Sequence, residues 1–148
     1  MITVPNEIVF EEVEECVARG ESITIPLRGT SMTPTLEDGC LVTLSPVGNT
    51  NVLSRNAVLL FRYNGKHILH RFHHTEGEAV VARGDNLYTF ERFNRKDIVA
   101  VLSSFKRING TVMDCDSFCW RMTTLFVPAV RFKKWFIRKF KKHILRTV

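Results

Sequence analysis

A serine and a histidine are the residues of this 148-residue chain whose settings suit nucleophilic chemistry. Ser31 lies in LRGTSMTPTLEDG, between a glycine-containing turn and a proline, and His70 lies in KHILHRFHH. A serine hydroxyl attacks a carbonyl only when a nearby base takes its proton, and histidine does this near neutral pH. Both residues also have simpler interpretations, because loop serines commonly bond local backbone and a histidine between apolar residues can belong to a core.

Strands are predicted to position both residues. In SITIPLRG the residues Ile23, Ile25 and Leu27 alternate at period two, the mark of a half-buried strand that leads directly to Ser31. Turn-forming segments such as LEDG and TEGE then separate further apolar runs. The additional strands are predicted in CLVTLSPV, NAVLLFRY, KHILHRFHH, EAVVARG and DIVAVLSSFKRI. The middle of the chain is therefore predicted to be a compact antiparallel β domain.

Alternation within KHILHRFHH decides what surrounds His70. Strict period two places His70 on one face with Ile68, Phe72 and His74, and places His67 and His73 on the other. His70 then lies between two large apolar side chains, as either a satisfied core residue or a positioned base.

A helix is predicted at each end of the β domain. The first carries apolar residues near helical spacing and ends at Gly20. Those apolar residues are Ile8, Val9, Val13, Cys16 and Val17. In the last segment, RFKKWFIRKFKKHIL, lysines and arginines surround one apolar helical face. That face consists of Phe132, Trp135, Phe136, Phe140 and Ile144. The fold is thus predicted to be mainly β, with an N-terminal helix and a basic amphipathic C-terminal helix.

Composition limits the class of protein. The net charge is +6, but eight basic residues and no acid follow from Arg131 onward, which leaves a balance of −2 elsewhere. The four cysteines are scattered and imply no disulfide framework. The N-terminus lacks the basic and apolar stretches of a secretion signal, and no apolar run reaches the roughly 20 residues of a membrane span. We therefore expect a cytoplasmic protein that can also bind peripherally to a membrane.

Several segments resemble, in order, the sequence boxes of the signal peptidase I superfamily, which includes the LexA-type self-cleaving repressors. These segments are GTSMTPTLEDGCLVTL, NAVLLFRYNGKHILHRF, ARGDN and KDIVAVL, and they span roughly Ile23 to Val101. The resemblance implies a signal-peptidase-like or LexA-like catalytic domain over residues 1–110, with residues 111–148 as an aromatic and basic extension. It further implies that Ser31 is the nucleophile and that His70, which precedes an arginine, is the general base.

The resemblance leaves two candidates for the acid that completes a triad. Asp85 lies within the GDN box, and Glu91 matches the downstream acid of the histidine-type enzymes by spacing. A carboxylate on the far imidazole nitrogen would fix the tautomer and stabilise the imidazolium. Asp85 has an equal alternative as a turn acid that caps backbone amides. Thr35 is interpreted as a local turn residue. The resemblance implies that the backbone N–H of Ser31, with a group of the RGT turn, forms the oxyanion site.

The implied activity is that of a serine endopeptidase which acts on a peptide or precursor protein, for example in leader-peptide removal, without a cofactor. The chain departs from signal peptidases because it shows neither an apolar anchor nor an export signal. One alternative is a non-catalytic module that holds an extended peptide by strand addition. Another is a self-cleaving regulator, for which VARGES, with Ala18 and Gly20 separated by Arg19, is the nearest approximation to a scissile site.

The sequence also bears on a metal site, a nucleic-acid partner and a membrane-binding surface. Four histidines in KHILHRFHH invite a zinc interpretation, but strand alternation divides them between two faces, and no metal site is expected. No nucleic-acid partner is expected, because only about 20 residues precede the first predicted strand and a separate DNA-binding domain needs more. The segment 131–148 fits an anionic membrane surface, or alternatively docks on the protein's own core or on a partner.

Overall fold

Eight strands and two long helices make up the fold, in a computed structural model that describes residues 6–48, 53–55 and 57–144. The predicted mainly β fold with a helix at each end is confirmed. In chain order the elements are α1 (Asn6–Ala18), β1 (Ile23–Pro26), β2 (Leu41–Ser45), β3 (Val58–Tyr63), β4 (Lys66–Glu76), β5 (Ala79–Arg83), β6 (Glu91–Asn94), β7 (Ile98–Lys106), β8 (Val112–Asp114) and α2 (Phe118–Ile144).

The strands form one antiparallel sheet that curls into a half-barrel. Along the sheet the order is β1-β2-β7-β3-β4-β5-β6, and β8 pairs with β7. Strand β7 therefore joins two halves, the β1-β2 hairpin and the β3-to-β6 meander. Two of the strands, β6 and β8, were not predicted from the sequence.

Each face of the sheet is covered by its own hydrophobic cluster. Successive residues of a strand point to opposite faces, so the run VLLF of β3 contributes Val58 and Leu60 to one cluster and Leu59 and Phe61 to the other. The first cluster includes Val13 of α1 and residues of β2 and β7. Burial on both faces explains why β3 reads as a continuous apolar run rather than as an alternating one.

Helix α1 packs on the sheet and ends at a glycine, as predicted. Gly20 has φ 78°, its N–H donates to Val17 O, and the N–H of Glu21 donates to Cys16 O. This pairing is the Schellman arrangement, which favours glycine at the left-handed position. Val13 is fully buried, whereas the side chain of Ile8, which was also predicted for this face, lies outside the described residues.

Helix α2 starts well before the predicted Arg131 and continues through Pro128. Its first turns dock on the sheet, because Trp120 and Val127 are buried and the Trp120 ring packs edge-on against Phe105 at 5.5 Å. Over the described part of the chain, no helix combines the length and apolar character that a membrane crossing needs.

A bulge in β4 changes the predicted faces of its histidines. Phe72 pairs with Ala82, but His74 pairs with Val81, so His73 is an extra residue in the ladder. The predicted face shared by His70 and His74 is therefore wrong, because one inserted residue moves every later side chain to the opposite face.

Candidate active site

The loop that carries Ser31 is held to the hydrophobic core by buried side chains that follow the serine in sequence. Met32 and Leu36 are buried in the first cluster, and the N–H of Leu36 donates to Met32 O at 2.9 Å. At the loop's base, the N–H of Gly29 donates to Asp38 Oδ1 at 2.8 Å. Because Met32 and Leu36 fix the loop to the core, the Ser31 side chain is held in place and is half-buried. Its N–H donates to no group among the described residues, so this donor remains open to an incoming oxygen.

His70 lies in β4 on the face of the second cluster and is 3% exposed. Its ring meets Phe61 edge-on at 6.3 Å, and its Nδ1 lies 2.8 Å from Oε2 of Glu91 on β6. Glu91 is itself buried. A carboxylate at Nδ1 favours the tautomer that carries its proton there, which leaves Nε2 with a free lone pair. This is the electronic state that a general base needs.

Gly84 separates the serine loop from the histidine ring. A Cβ added to Gly84 would lie 2.6 Å from Ser31 O and 3.0 Å from His70 Nε2, so both residues border the same small space. The next residues fasten this arrangement: Asn86 N donates to Ser31 O at 2.9 Å, and Asn86 Nδ2 donates to Thr30 O at 3.0 Å. No hydrogen bond joins Ser31 Oγ to His70 Nε2 in the described structure. Such bonds commonly tighten only when substrate binds.

Asp85, the second candidate acid, forms hydrogen bonds with other residues on the opposite side of the sheet from His70. Its carboxylate accepts two hydrogen bonds from Arg71, at 2.9 and 2.8 Å, and one from Thr35 at 2.6 Å. The Asp85 side chain is fully buried, and the guanidinium of Arg71 also donates to Thr124 of α2 at 2.9 Å. Asp85 therefore ties β4, the serine loop and α2 together. Thr35, interpreted from sequence as a turn residue only, is part of this buried network.

Helix α2 contacts the GDN segment directly. Arg131 donates from Nε to Asp85 O at 3.1 Å and from Nη2 to Gly84 O at 3.3 Å, and Lys134 Nζ pairs with Asn86 Oδ1. Burial, together with the nearby charge of Arg83, lowers the pKa of Arg131. Sequence reasoning missed this role for Arg131. The available signal was helical spacing, since Val127, Arg131 and Lys134 share the side of α2 opposite the aromatic face.

The remaining histidines and cysteines are dispersed. His67 pairs with Glu14 and His74 with Glu76, and no three ligating side chains converge on one point within residues 6–48, 53–55 and 57–144. The four cysteines are free thiols. In CDSFC, burial and then the nearby Asp114 carboxylate raise the pKa of Cys115 to about 12, which leaves this thiol protonated and unreactive at neutral pH.

Comparison with known proteins finds no match: no family model, no curated protein and no solved structure is similar to the chain. The resemblance to the signal peptidase I superfamily therefore rests on the order of the sequence boxes alone. The structure adds the spatial arrangement of these residues. Ser31 and His70 border the same space beside Gly84, and Glu91 bonds the opposite ring nitrogen of His70, whereas Asp85 takes part in a different network.

Proposed function

We propose that this protein is a serine endopeptidase that cleaves a peptide or precursor protein through an acyl-enzyme on Ser31. The observation that carries the proposal is the buried His70–Glu91 pair, whose free Nε2 borders the same space as the Ser31 loop. A buried imidazole with a carboxylate on its far nitrogen is the arrangement that activates a hydroxyl in serine hydrolases. The sequence boxes imply the same roles for Ser31 and His70.

The chemistry assigned to these groups is acyl transfer. Ser31 Oγ bonds to the scissile carbonyl carbon while His70 Nε2 takes its proton, and Glu91 stabilises the imidazolium. The proton then passes to the leaving amine as the carbon–nitrogen bond breaks. Water then attacks the resulting ester while His70 takes one of its protons. His70 returns this proton to Ser31 Oγ as the ester carbon–oxygen bond breaks, which releases the carboxylic acid product and restores the Ser31 hydroxyl. The N–H of Ser31, which has no partner among the residues that the structure describes, is the proposed donor to the oxyanion.

Action on another molecule fits the structure better than self-cleavage at VARGES. The amide groups of Arg19, Gly20 and Glu21 all donate to carbonyls of the last turns of α1. A peptide must be extended to enter a protease groove by strand addition, so this segment would first have to unwind. A peptide or precursor protein, for example a leader peptide, is therefore the proposed substrate.

The test is covalent labelling of Ser31. A fluorophosphonate should add to the wild-type protein, as seen by intact mass and by peptide mapping, and Ser31→Ala should not react. Ser54→Ala, which removes an exposed serine outside the site, is the matched control and should label like the wild type. Failure of the wild type to label, with no cleavage of any peptide in a diverse pool, would leave the non-catalytic peptide-binding module as the better interpretation.

We also propose that the enzyme works at an anionic membrane surface through α2. Four aromatic side chains form a continuous stripe on the exposed side of this helix, with ring centroids 5.7 to 6.5 Å apart, and we call it the aromatic stripe. It consists of Phe132, Trp135, Phe136 and Phe140. Because α2 docks by its opposite side, the stripe is not covered by the protein's own core. Cations alongside an aromatic face match the headgroup and acyl boundary of anionic lipids.

A further inference from the structure

A cavity of about 290 Å³ lies between the β4-β5 hairpin and α2, outside the candidate active site. Its lining is rich in cationic and titratable groups, and no carboxylate is among the lining residues that the structure describes. The charged and titratable lining residues are Arg55, Arg71, His73, His74, Arg83 and Arg131. Four guanidinium groups around one cavity repel each other unless a negative charge compensates them.

The carboxylates near this cavity already form ion pairs with other residues. Asp85 accepts two bonds from Arg71 and lies 3.8 Å from Arg131, and its side chain is fully buried behind them. Glu76 pairs with His74 and with Arg92 at the exposed end of the hairpin. Neither Arg55 nor Arg83 therefore forms a close ion pair with a carboxylate among the described residues, and the charge of Asp85 reaches Arg83 only from a longer distance.

Arg83 provides a second, independent observation. Its Nε is buried and has no hydrogen-bond partner among the described residues, although a buried guanidinium N–H without a partner is costly. Burial lowers the pKa of Arg83, and burial followed by the charge of Arg83 lowers the pKa of His73. Burial is the main cause of both shifts, and only the shift of His73 also includes repulsion by neighbouring cations. A bound anion would supply the missing acceptor and the missing charge together.

We propose that this cavity is a binding site for a phosphate-type oxyanion, held by Arg55, Arg83 and Arg131. Guanidinium groups recognise such anions because their fork of donors matches the phosphate oxygens. The cavity has room for a phosphate that carries a small polar substituent, so free phosphate and a phospholipid headgroup share the required chemistry. The site does not depend on the proposed peptidase activity, because neither Ser31 nor His70 lines the cavity.

The test measures anion binding by the full-length protein. Inorganic phosphate, titrated at constant ionic strength against chloride, should raise the Tm of the wild type, and calorimetry should yield a defined Kd. Arg83→Gln should weaken that Kd about tenfold, the value of one lost charge-assisted hydrogen bond. Arg55→Gln, at an exposed position where folding is not at risk, should weaken it similarly. Arg19→Gln is the matched control, since it removes one exposed arginine just past α1.

Vesicles distinguish the two sources of the anion. If the ligand is a lipid headgroup, Arg83→Gln and Arg55→Gln should also weaken binding to phosphatidic acid vesicles relative to Arg19→Gln. If it is free phosphate, calorimetry should separate the variants and vesicle binding should not. An equal response of all four proteins to phosphate, or none in the wild type, would overturn the proposal. Loss of fluorophosphonate labelling at Ser31 would bear on the proposed activity alone.

Discussion

At the scale of single residues, two buried carboxylates of similar chemistry have different partners. Glu91 faces an imidazole, and Asp85 faces a guanidinium and a hydroxyl. A carboxylate beside an imidazole can stabilise a charge that appears during a reaction, whereas one beside a guanidinium compensates a permanent charge. The two positions therefore predict different consequences when the negative charge is removed.

Glu91→Gln and Asp85→Asn are expected to separate activity from stability. Glu91→Gln should slow fluorophosphonate labelling of Ser31 by roughly 10²- to 10⁴-fold, because the imidazolium loses its counter-charge. Asp85→Asn should lower the free energy of unfolding by about 3 to 5 kcal/mol, because the buried guanidinium of Arg71 loses its partner. Labelling kinetics and urea unfolding measure the two effects. Normal labelling of Glu91→Gln, with slow labelling of an Asp85→Asn protein of unchanged stability, would reverse the assignment.

At the scale of elements, the sequence predicted strands that alternate and missed the strand that carries Glu91. Strand β6 reads ERFN, with Glu91 and Phe93 buried and the intervening residues exposed. A four-residue segment with one aliphatic or aromatic residue has too little periodicity to be recognised, and a glutamate predicts the solvent face. The partner of His70 could therefore be proposed from a family resemblance but not from hydrophobic pattern.

The sequence pattern also failed to predict the full length of α2. The basic amphipathic segment was predicted from Arg131 onward, whereas α2 begins at Phe118 and continues through Pro128, a residue type that normally breaks a helix interior. Burial of Trp120 and Val127 compensates in the structure, since tertiary packing outweighs local propensity. The β4 bulge is a similar case, because one inserted residue at His73 leaves no mark in the composition.

Substitution within the aromatic stripe should weaken membrane binding. The triple variant Phe132→Ser, Phe136→Ser, Phe140→Ser is expected to bind phosphatidylglycerol vesicles at least about tenfold less tightly, because three apolar side chains no longer enter the lipid boundary. Vesicle sedimentation measures the effect, and added salt should weaken binding of the wild type as it screens the lysines.

The control for this comparison lies elsewhere on the surface. Ile108→Ser with Val112→Ser removes two exposed apolar side chains near β8, and this protein should bind vesicles like the wild type. Equal vesicle binding by the stripe variant would contradict the membrane assignment. A wild-type dimer in sedimentation velocity that the triple variant abolishes would instead assign the stripe to a second copy of the chain.

At the scale of the whole molecule, one carboxylate fastens the N-terminal helix to the sheet. Glu14 of α1 accepts two hydrogen bonds from Arg62 on β3, at 2.7 and 2.6 Å, and pairs with His67 on β4 at 2.7 Å. The bonds from Arg62, and then the single bond with His67, lower the pKa of Glu14 to about 2. The stability that this cluster contributes is therefore complete above the unfolded-state pKa and is lost as the pH falls towards 2.

Glu14→Gln should reduce the free energy of unfolding by about 1 kcal/mol at pH 7, a value kept small because the cluster is partly exposed. The difference from the wild type should shrink as the pH falls from about 4.5 towards 2, since Glu14 then becomes neutral in both states. Urea titrations across this range measure it. Glu21→Gln, in an exposed pair with Arg19, is the control and should change little. A difference that stays constant with pH would show that the charge of Glu14 is not involved.

The place of β7 in the sheet has a consequence for the order of folding. The β3-to-β6 meander is built from hairpins between neighbours in the chain, whereas β7 pairs Leu102 with Leu44 and Val101 with Leu59 across long sequence separations. Local pairings form faster than distant ones, so the meander is expected to form early and β7 to enter late. His70 and Glu91 belong to the meander, while Ser31 precedes β2. A newly made chain is therefore expected to hold the proposed base and acid together before β7 brings the proposed nucleophile to them, which would keep Ser31 apart from His70 until β7 has paired.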